Sequence, residues 1–132
     1  MRLQVKDFMS TPVTTAVAEN SILEIRALMK EKGINAIPII SYSKDVPHYE
    51  MTIKGIITST DIGKDIDDNA TVEDVMTASN VYVVHVDSSA QAAAKMMLKH
   101  KVHHIVVMDE GEIKGMISSL DFVKLVAEYS LE

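Results

Sequence analysis

Apolar positions recur at helical spacing in two stretches of the chain. Ile22, Ile25, Leu28 and Met29 keep the three-and-four rhythm of an amphipathic helix, and Ala93, Met96 and Met97 repeat it further along. Ser21-Ile22-Leu23-Glu24 reads as a capping box, in which hydroxyl and carboxylate each accept from backbone amides at a helix start, and Ser88-Ser89-Ala90-Gln91 is expected to do the same for the second helix. Gly33 supplies a left-handed stop after the first helix, and Lys99 to Lys101 a polar exit from the second. Each helix runs directly into a short apolar run, Ile37 to Ile40 and Ile105 to Met108. These runs predict strands, with Ile53 to Thr58 and Ile113 to Ser118 as hairpin partners. Pro38 lacks an amide donor, which places it at a strand's start or edge. Past each hairpin an aspartate opens another helical segment. Ile62 to Ile66 is short and polar, whereas Phe122, Leu125, Val126 and Tyr129 give the last segment an apolar side.

The elements occur twice because the sequence does. Val5-Lys6-Asp7-Phe8-Met9-Ser10 returns 67 residues later as Val72-Glu73-Asp74-Val75-Met76-Thr77. Ile34 to Ile39 aligns with Val102 to Val107 at an offset of 68, and Gly55-Ile56-Ile57-Thr58-Ser59-Thr60-Asp61-Ile62 with Gly115-Met116-Ile117-Ser118-Ser119-Leu120-Asp121-Phe122 at 60. The difference falls in the hairpin loop, Ser41 to Glu50 in the first copy and only Asp109-Glu110-Gly111 in the second. The copies are bounded as 1–66 and 72–130, with a linker at 67–71 that includes Asp67-Asp68-Asn69-Ala70. Each is expected to run strand, helix, strand, strand, helix, giving an α/β (α+β) chain of two βαββα repeats. A unit too short to close its own core can bury its apolar face against its twin, which directs attention to clefts between the copies.

Composition narrows the chemistry. With 132 residues and 47% hydrophobic content there is enough to fill one shared core. The chain has no cysteine, so disulfides, thiol catalysis and zinc-thiolate sites are excluded, and a reducing compartment fits. No apolar run approaches the roughly 20 residues that span a bilayer, and the start lacks a signal-peptide core, so the expectation is a cytoplasmic protein that engages no membrane. A net charge of -6 and 5% aromatics without Trp argue against nucleic acid as a partner, although a single small anion can still find a local basic pocket. There is no glycine-rich phosphate loop, H-E-x-x-H helix or G-x-S-x-G elbow, so no catalysis is expected. The nine methionines read as adaptable core packing, with Met9 and Met76 filling the same gap in each half. Leu131-Glu132 reads as a tag remnant and carries no structural weight.

Taken in order and in duplicate, "VKDFMS" and "VEDVMT", "KGINAIPII" and "KVHHIVVM", and "GIITSTDI" and "GMISSLDF" strongly resemble a tandem pair of cystathionine β-synthase (CBS) domains, a Bateman module, from Val5 to about Tyr129. The resemblance implies two βαββα repeats packed through their sheets with pseudo-twofold symmetry, commonly pairing again into a disc-shaped dimer. It also implies clefts that bind adenosine derivatives such as AMP, ADP, ATP or S-adenosylmethionine as regulatory ligands, with no required cofactor, and a regulated enzyme or transporter as partner. The expectation is a non-catalytic sensor module. A structural dimerisation module with vestigial clefts is the alternative. Phe8, Phe122 and Tyr129 with the apolar helix faces offer surface for a symmetric homodimer.

Two constellations carry the expected binding chemistry. Thr58-x-x-Asp61 and Ser118-x-x-Asp121 place a hydroxyl and a carboxylate at a strand-to-helix joint, where the carboxylate can accept from two ribose hydroxyls or, more simply, cap the helix; both roles can coexist. Val102-His103-His104-Ile105-Val106-Val107 looks like a stretch of the regulatory gamma subunit of AMP-activated protein kinase, where a His-Arg pair contacts phosphate. Here His104 stands at the Arg position. Imidazoles, with a reference pKa near 6.5, donate to phosphate more strongly in mild acid. A solvated helix end is the other reading of this run, and metal ligation by His100, His103 and His104 is disfavoured for want of an acidic partner nearby. In the first copy Asn35-Ala36 replaces the His pair. Ile37 and Pro38 there, like Ile105 in the second copy, are expected to flank a ligand, so the clefts should be unequal, the second better for phosphate.

Overall fold

A computed structural model describes residues 2–42, 51–76 and 81–128. Most of the long first-copy hairpin loop, Thr77, Tyr129 and Leu131-Glu132 lie outside the described residues. The fold is α/β, with a two-stranded and a three-stranded sheet in two compact units. One unit is continuous, Thr14–Val81. The other is split between Met1–Val13 and Tyr82–Glu132.

In the continuous unit, α1 (Ile22–Lys32) starts at the expected box: Glu24 N–H donates to Ser21 Oγ and the Glu24 carboxylate accepts from Ser21 N–H. Asn20 adds a side-chain hydrogen bond to the same carboxylate at 2.8 Å. Together these partners hold Glu24 below the usual carboxylate range, the Ser21 amide contributing most, then Asn20, then the Ser21 hydroxyl. Gly33 ends the helix in the left-handed region at φ 63°. The helix buries Ile22, Ile25 and Met29 in a core shared with the antiparallel hairpin β1 (Ala36–Tyr42) and β2 (Met51–Thr58), which supplies Ile37, Ile39 and Ile57. The opening strand expected before α1 is reduced to one parallel bridge, Ala16 to Ile39. A single turn, α2 (Ser59–Ile62), follows β2.

The expected linker 67–71 is firmly tied down. Ile22 N–H donates to Ala70 O at 2.8 Å and Leu23 N–H to Asp68 O at 3.0 Å, and Val72 N–H returns to Asn20 O at 2.9 Å. With Ser21 Oγ accepting from Glu24 N–H and the Glu24 carboxylate from Ser21 N–H, all four orphan donors at the start of α1 are satisfied. The linker is therefore part of the helix cap. It delivers α3 (Val72–Val75), capped by Thr71 and Asp74, so that Val72 lies fully buried in the continuous core.

The split unit contains β3 (Val83–His85), parallel to β4 (His104–Asp109), which pairs antiparallel with β5 (Glu112–Ser118). Glu110 and Gly111 both have positive φ, 51° and 76°, as a two-residue type I′ hairpin turn requires. Helix α4 (Ala90–His100) is capped by Ser89 alone, whose Oγ accepts from Ala92 N–H at 3.0 Å. The capping box expected over Ser88 to Gln91 does not form, because the third helical position is Ala92 and Ser88 Oγ instead accepts from His85 N–H. Lys101 takes the left-handed stop that Gly33 fills in the first copy.

The N-terminal segment completes this unit. Leu3 O accepts from Ala90 N–H at 2.8 Å, Val5 N–H donates to Ser88 O at 2.9 Å, and Ser10 and Met116 exchange both backbone hydrogen bonds. Val5 is fully buried among Val84, Ala93, Met97, Ile105, Val107 and Ile117. Phe8 meets Phe122 edge-on at 5.2 Å between ring centroids, and Met9 lies against Gly115, where no Cβ stands in its way. The opening motif of each copy thus packs in the unit whose hairpin comes from the other copy, and Met9 and Met76 each pack, partly buried, against the core they join. Helix α5 (Ser119–Glu128) follows β5.

Candidate functional site

Each unit presents the same joint, where the second hairpin strand turns into a helix. In the split unit Ser118 N–H donates to Asp121 Oδ2 at 2.8 Å and Asp121 N–H donates to Ser118 Oγ at 3.3 Å. The continuous unit repeats it, Thr58 N–H to Asp61 Oδ2 at 2.9 Å and Asp61 N–H to Thr58 Oγ1 at 3.3 Å. Capping is therefore a role both aspartates have. It occupies one carboxylate oxygen, Oδ2, and Oδ1 of each makes no hydrogen bond among the described residues. The two differ in setting, since Asp121 is half-buried and Asp61 exposed.

The strand entering each joint is held to it. His103 O accepts from Ser119 N–H at 2.9 Å, just as Asn35 O accepts from Ser59 N–H at 2.9 Å. The exposed His103 ring also places Nδ1 3.2 Å from Ser119 Oγ. His104 opens β4 and pairs across the ladder with Ser118. The fold thus gathers His103, His104, Ser118, Ser119 and Asp121 in one unit, and Asn35, Ala36, Thr58, Ser59 and Asp61 in the other. Ser119 and Ser59 are additions to the residues expected from sequence. Their signal was the second hydroxyl in "SSLD" and "TSTD".

Other expected residues have different surroundings. The side chains of Ile37, Pro38 and Ile105 are fully buried, Ile37 and Ile105 in the two cores, so what these residues can offer a ligand is confined to their backbone. Pro38 O is already engaged by Ala16 N–H at 3.1 Å. His100 stacks on Tyr82 with centroids 4.0 Å apart and planes inclined by 17°, which fixes the end of α4. Elsewhere on the split unit Lys6 Nζ meets Asp87 Oδ1 at 2.8 Å; the contact raises the lysine and lowers the aspartate from their ordinary values. Among the described residues no helix is long and apolar enough to cross a membrane.

Comparison with known proteins meets this geometry at the level of family. The CBS domain family model matches residues 5–68 and 72–128. The CBS domain pair of protein MJ0100, solved in complex with 5′-methylthioadenosine and S-adenosyl-L-methionine, is 31% identical with a TM-score of 0.79, covering 96% of this chain and 98% of that one. A protein with CBS domains from Burkholderia ambifaria MC40-6 is 25% identical with a TM-score of 0.74, over the whole of both chains. Among curated proteins, inosine-5′-monophosphate dehydrogenase of Staphylococcus aureus (strain Mu50 / ATCC 700699) is 29% identical over 108 residues, 82% of this chain. The chain spans only 21% of that dehydrogenase's length. Matched over both of its repeats and along nearly its whole length, the chain belongs to the CBS domain family, as a pair of CBS domains.

Proposed function

We propose that this CBS pair is a non-catalytic regulatory module that binds adenosine-containing ligands at the strand-to-helix joints, with Asp61 and Asp121 accepting from ribose hydroxyls. The observation that carries the reading is the 31% identical pair, which holds 5′-methylthioadenosine and S-adenosyl-L-methionine. The local chemistry supports it: each aspartate keeps Oδ1 clear of its capping bond, so it can accept from a ligand without uncapping its helix. Charge-assisted bonds of this kind contribute about 1.5–3 kcal/mol each. Only the split unit adds His103 and His104, which favours it for AMP, ADP or ATP over ligands without phosphate. The protein regulated is an enzyme or transporter.

Thermal denaturation with 5′-methylthioadenosine, S-adenosylmethionine, AMP, ADP and ATP tests the proposal. Saturation at about 100 times Kd stabilises by roughly 2.7 kcal/mol, which moves the midpoint by several degrees in a chain of this size. A flat response to all five at millimolar concentration defeats it. The second reading, a dimerisation module with vestigial sites, draws on α5, which buries no residue and exposes Leu120, Val123 and Val126 by 57%, 61% and 64%. A dimer that assembles without responding to any ligand would favour that reading.

A further inference from the structure

We infer that Arg26 is a positioning residue for the half-site of the continuous unit, holding Asp61 in place from behind. This rests on the ligand-binding reading above. Asp61 stands on α2, four residues long, and an isolated helix of one turn does not persist in water. In the split unit Asp121 opens a ten-residue helix instead. The Thr58–Asp61 box secures only the front of α2, and the buried Ile62 one side of it. Behind it the chain turns away at Gly63, with φ 53° and ψ -176°.

Arg26 secures that rear end. From α1 its Nη2 donates to Gly63 O and to Ile66 O, both at 2.9 Å, and its Nε lies 3.5 Å from Asp68 Oδ1. Asp68 O in turn accepts from Leu23 N–H and Ala70 O from Ile22 N–H, so the segment behind α2 is tied to the start of α1 as well as to Arg26. Both Nη2 protons are spent on backbone carbonyls of the segment that follows α2, so this nitrogen acts on Asp61 through that segment. A lysine ammonium lacks the plane that fixes the direction of the two Nη2 protons, and should hold the two carbonyls less firmly. When the two helices are aligned by sequence on their N-caps, Ser21 and Ser89, Ala94 stands at the position of Arg26. The clamp therefore belongs to one half-site alone, and it separates the two functionally.

The test uses the full chain with Arg26→Ala and Arg26→Lys, read by site-resolved amide hydrogen exchange and by calorimetry with 5′-methylthioadenosine. Asp61→Asn and Asp121→Asn identify which binding event belongs to which joint. Arg26→Ala should accelerate exchange at Ser59–Gly63 by roughly tenfold or more, leave Ser119–Phe122 unchanged, and weaken the binding event that Asp61→Asn weakens. Arg26→Lys should fall between Ala and wild type, and supplies the comparison if the Ala variant does not fold. Wild-type exchange at Ser59–Gly63 in a folded variant overturns the inference. So does a lowered melting temperature with both binding events intact. If the wild-type chain binds no methylthioadenosine, the ligand-binding reading falls, while the exchange rates still decide whether Arg26 holds α2.

Discussion

Replacing Asp121 by Asn separates helix capping from ligand binding at one atom. An asparagine oxygen can still accept from Ser118 N–H, the 2.8 Å bond that Oδ2 makes now, so the joint is preserved. The amide takes the place of Oδ1 and donates where the carboxylate accepts. If Oδ1 takes one ribose hydroxyl, the lost charge-assisted bond is worth about 1.5–3 kcal/mol, or roughly a ten- to hundredfold rise in Kd. Asp61→Asn should cost less, because Asp61 is exposed while Asp121 is half-buried, where its hydrogen bonds compete less with water. Asp121→Ala also removes the cap acceptor and should lower the melting temperature by a few degrees, the effect of about 1 kcal/mol. Calorimetry with 5′-methylthioadenosine and AMP, paired with thermal scans, measures both quantities. An Asn variant that melts like wild type and binds with unchanged affinity would refute the ribose assignment and leave Asp121 as a cap only.

Gly115→Ala drives a Cβ into the Met9 sulfur and to 3.0 Å from Ser10 O, and should destabilise by about 1–3 kcal/mol in urea titrations; Met9→Ala should recover part of that loss. Because the fold lowers the pKa of Glu24, its ionised form stabilises the protein above the unfolded glutamate value of about 4.3, and this contribution is lost as pH falls through the lower folded value. The stability gap between wild type and Glu24→Gln should therefore narrow below about pH 4.5, and a constant gap down to pH 3 would contradict it. Light scattering at tens of micromolar should give near twice 14.6 kDa for the wild type and near 14.6 kDa for Val123→Glu; a monomeric wild type would remove α5 as a dimer face. His103→Gln with His104→Gln should weaken AMP in calorimetry and leave 5′-methylthioadenosine unaffected; unchanged AMP affinity would deny the pair a phosphate role.

Much of the local architecture was legible because it is written in side chains. Ser21 and Glu24 announce a helix start, Gly33 its end, and the runs at Ile37 and Ile105 their hairpins. The duplicated Asp61 and Asp121 joints were legible for the same reason. What escaped the sequence depends on backbone groups, which every residue shares. Asp67 to Thr71 look like an acidic, polar linker, yet the carbonyls of Asp68 and Ala70 cap α1. Arg26 makes its contacts with the carbonyls of Gly63 and Ile66, for which no spacing rule exists. Nor does local pattern tell which core a valine fills. Val5 and Val72 sit in matching motifs, and each is buried in the unit whose hairpin the other copy supplies. Ile37 and Ile105, expected to flank a ligand, have their side chains buried in the cores, which leaves their backbone groups for such contact.

The exchange of opening segments also orders events in time. The continuous unit, Thr14–Val81, emerges as one uninterrupted stretch and can collapse on contacts it already contains. The split unit must bring together ends such as Lys6 and Asp87, 81 positions apart. Closing so long a loop costs entropy before any contact compensates for it, but folding the intervening stretch first shortens the effective loop. The segment ahead of Thr14 therefore waits longest for its partners. A permuted chain beginning at Tyr82 and running through Glu132 into Met1 would make both units contiguous, and should refold faster with the same hydrogen bonds at the end.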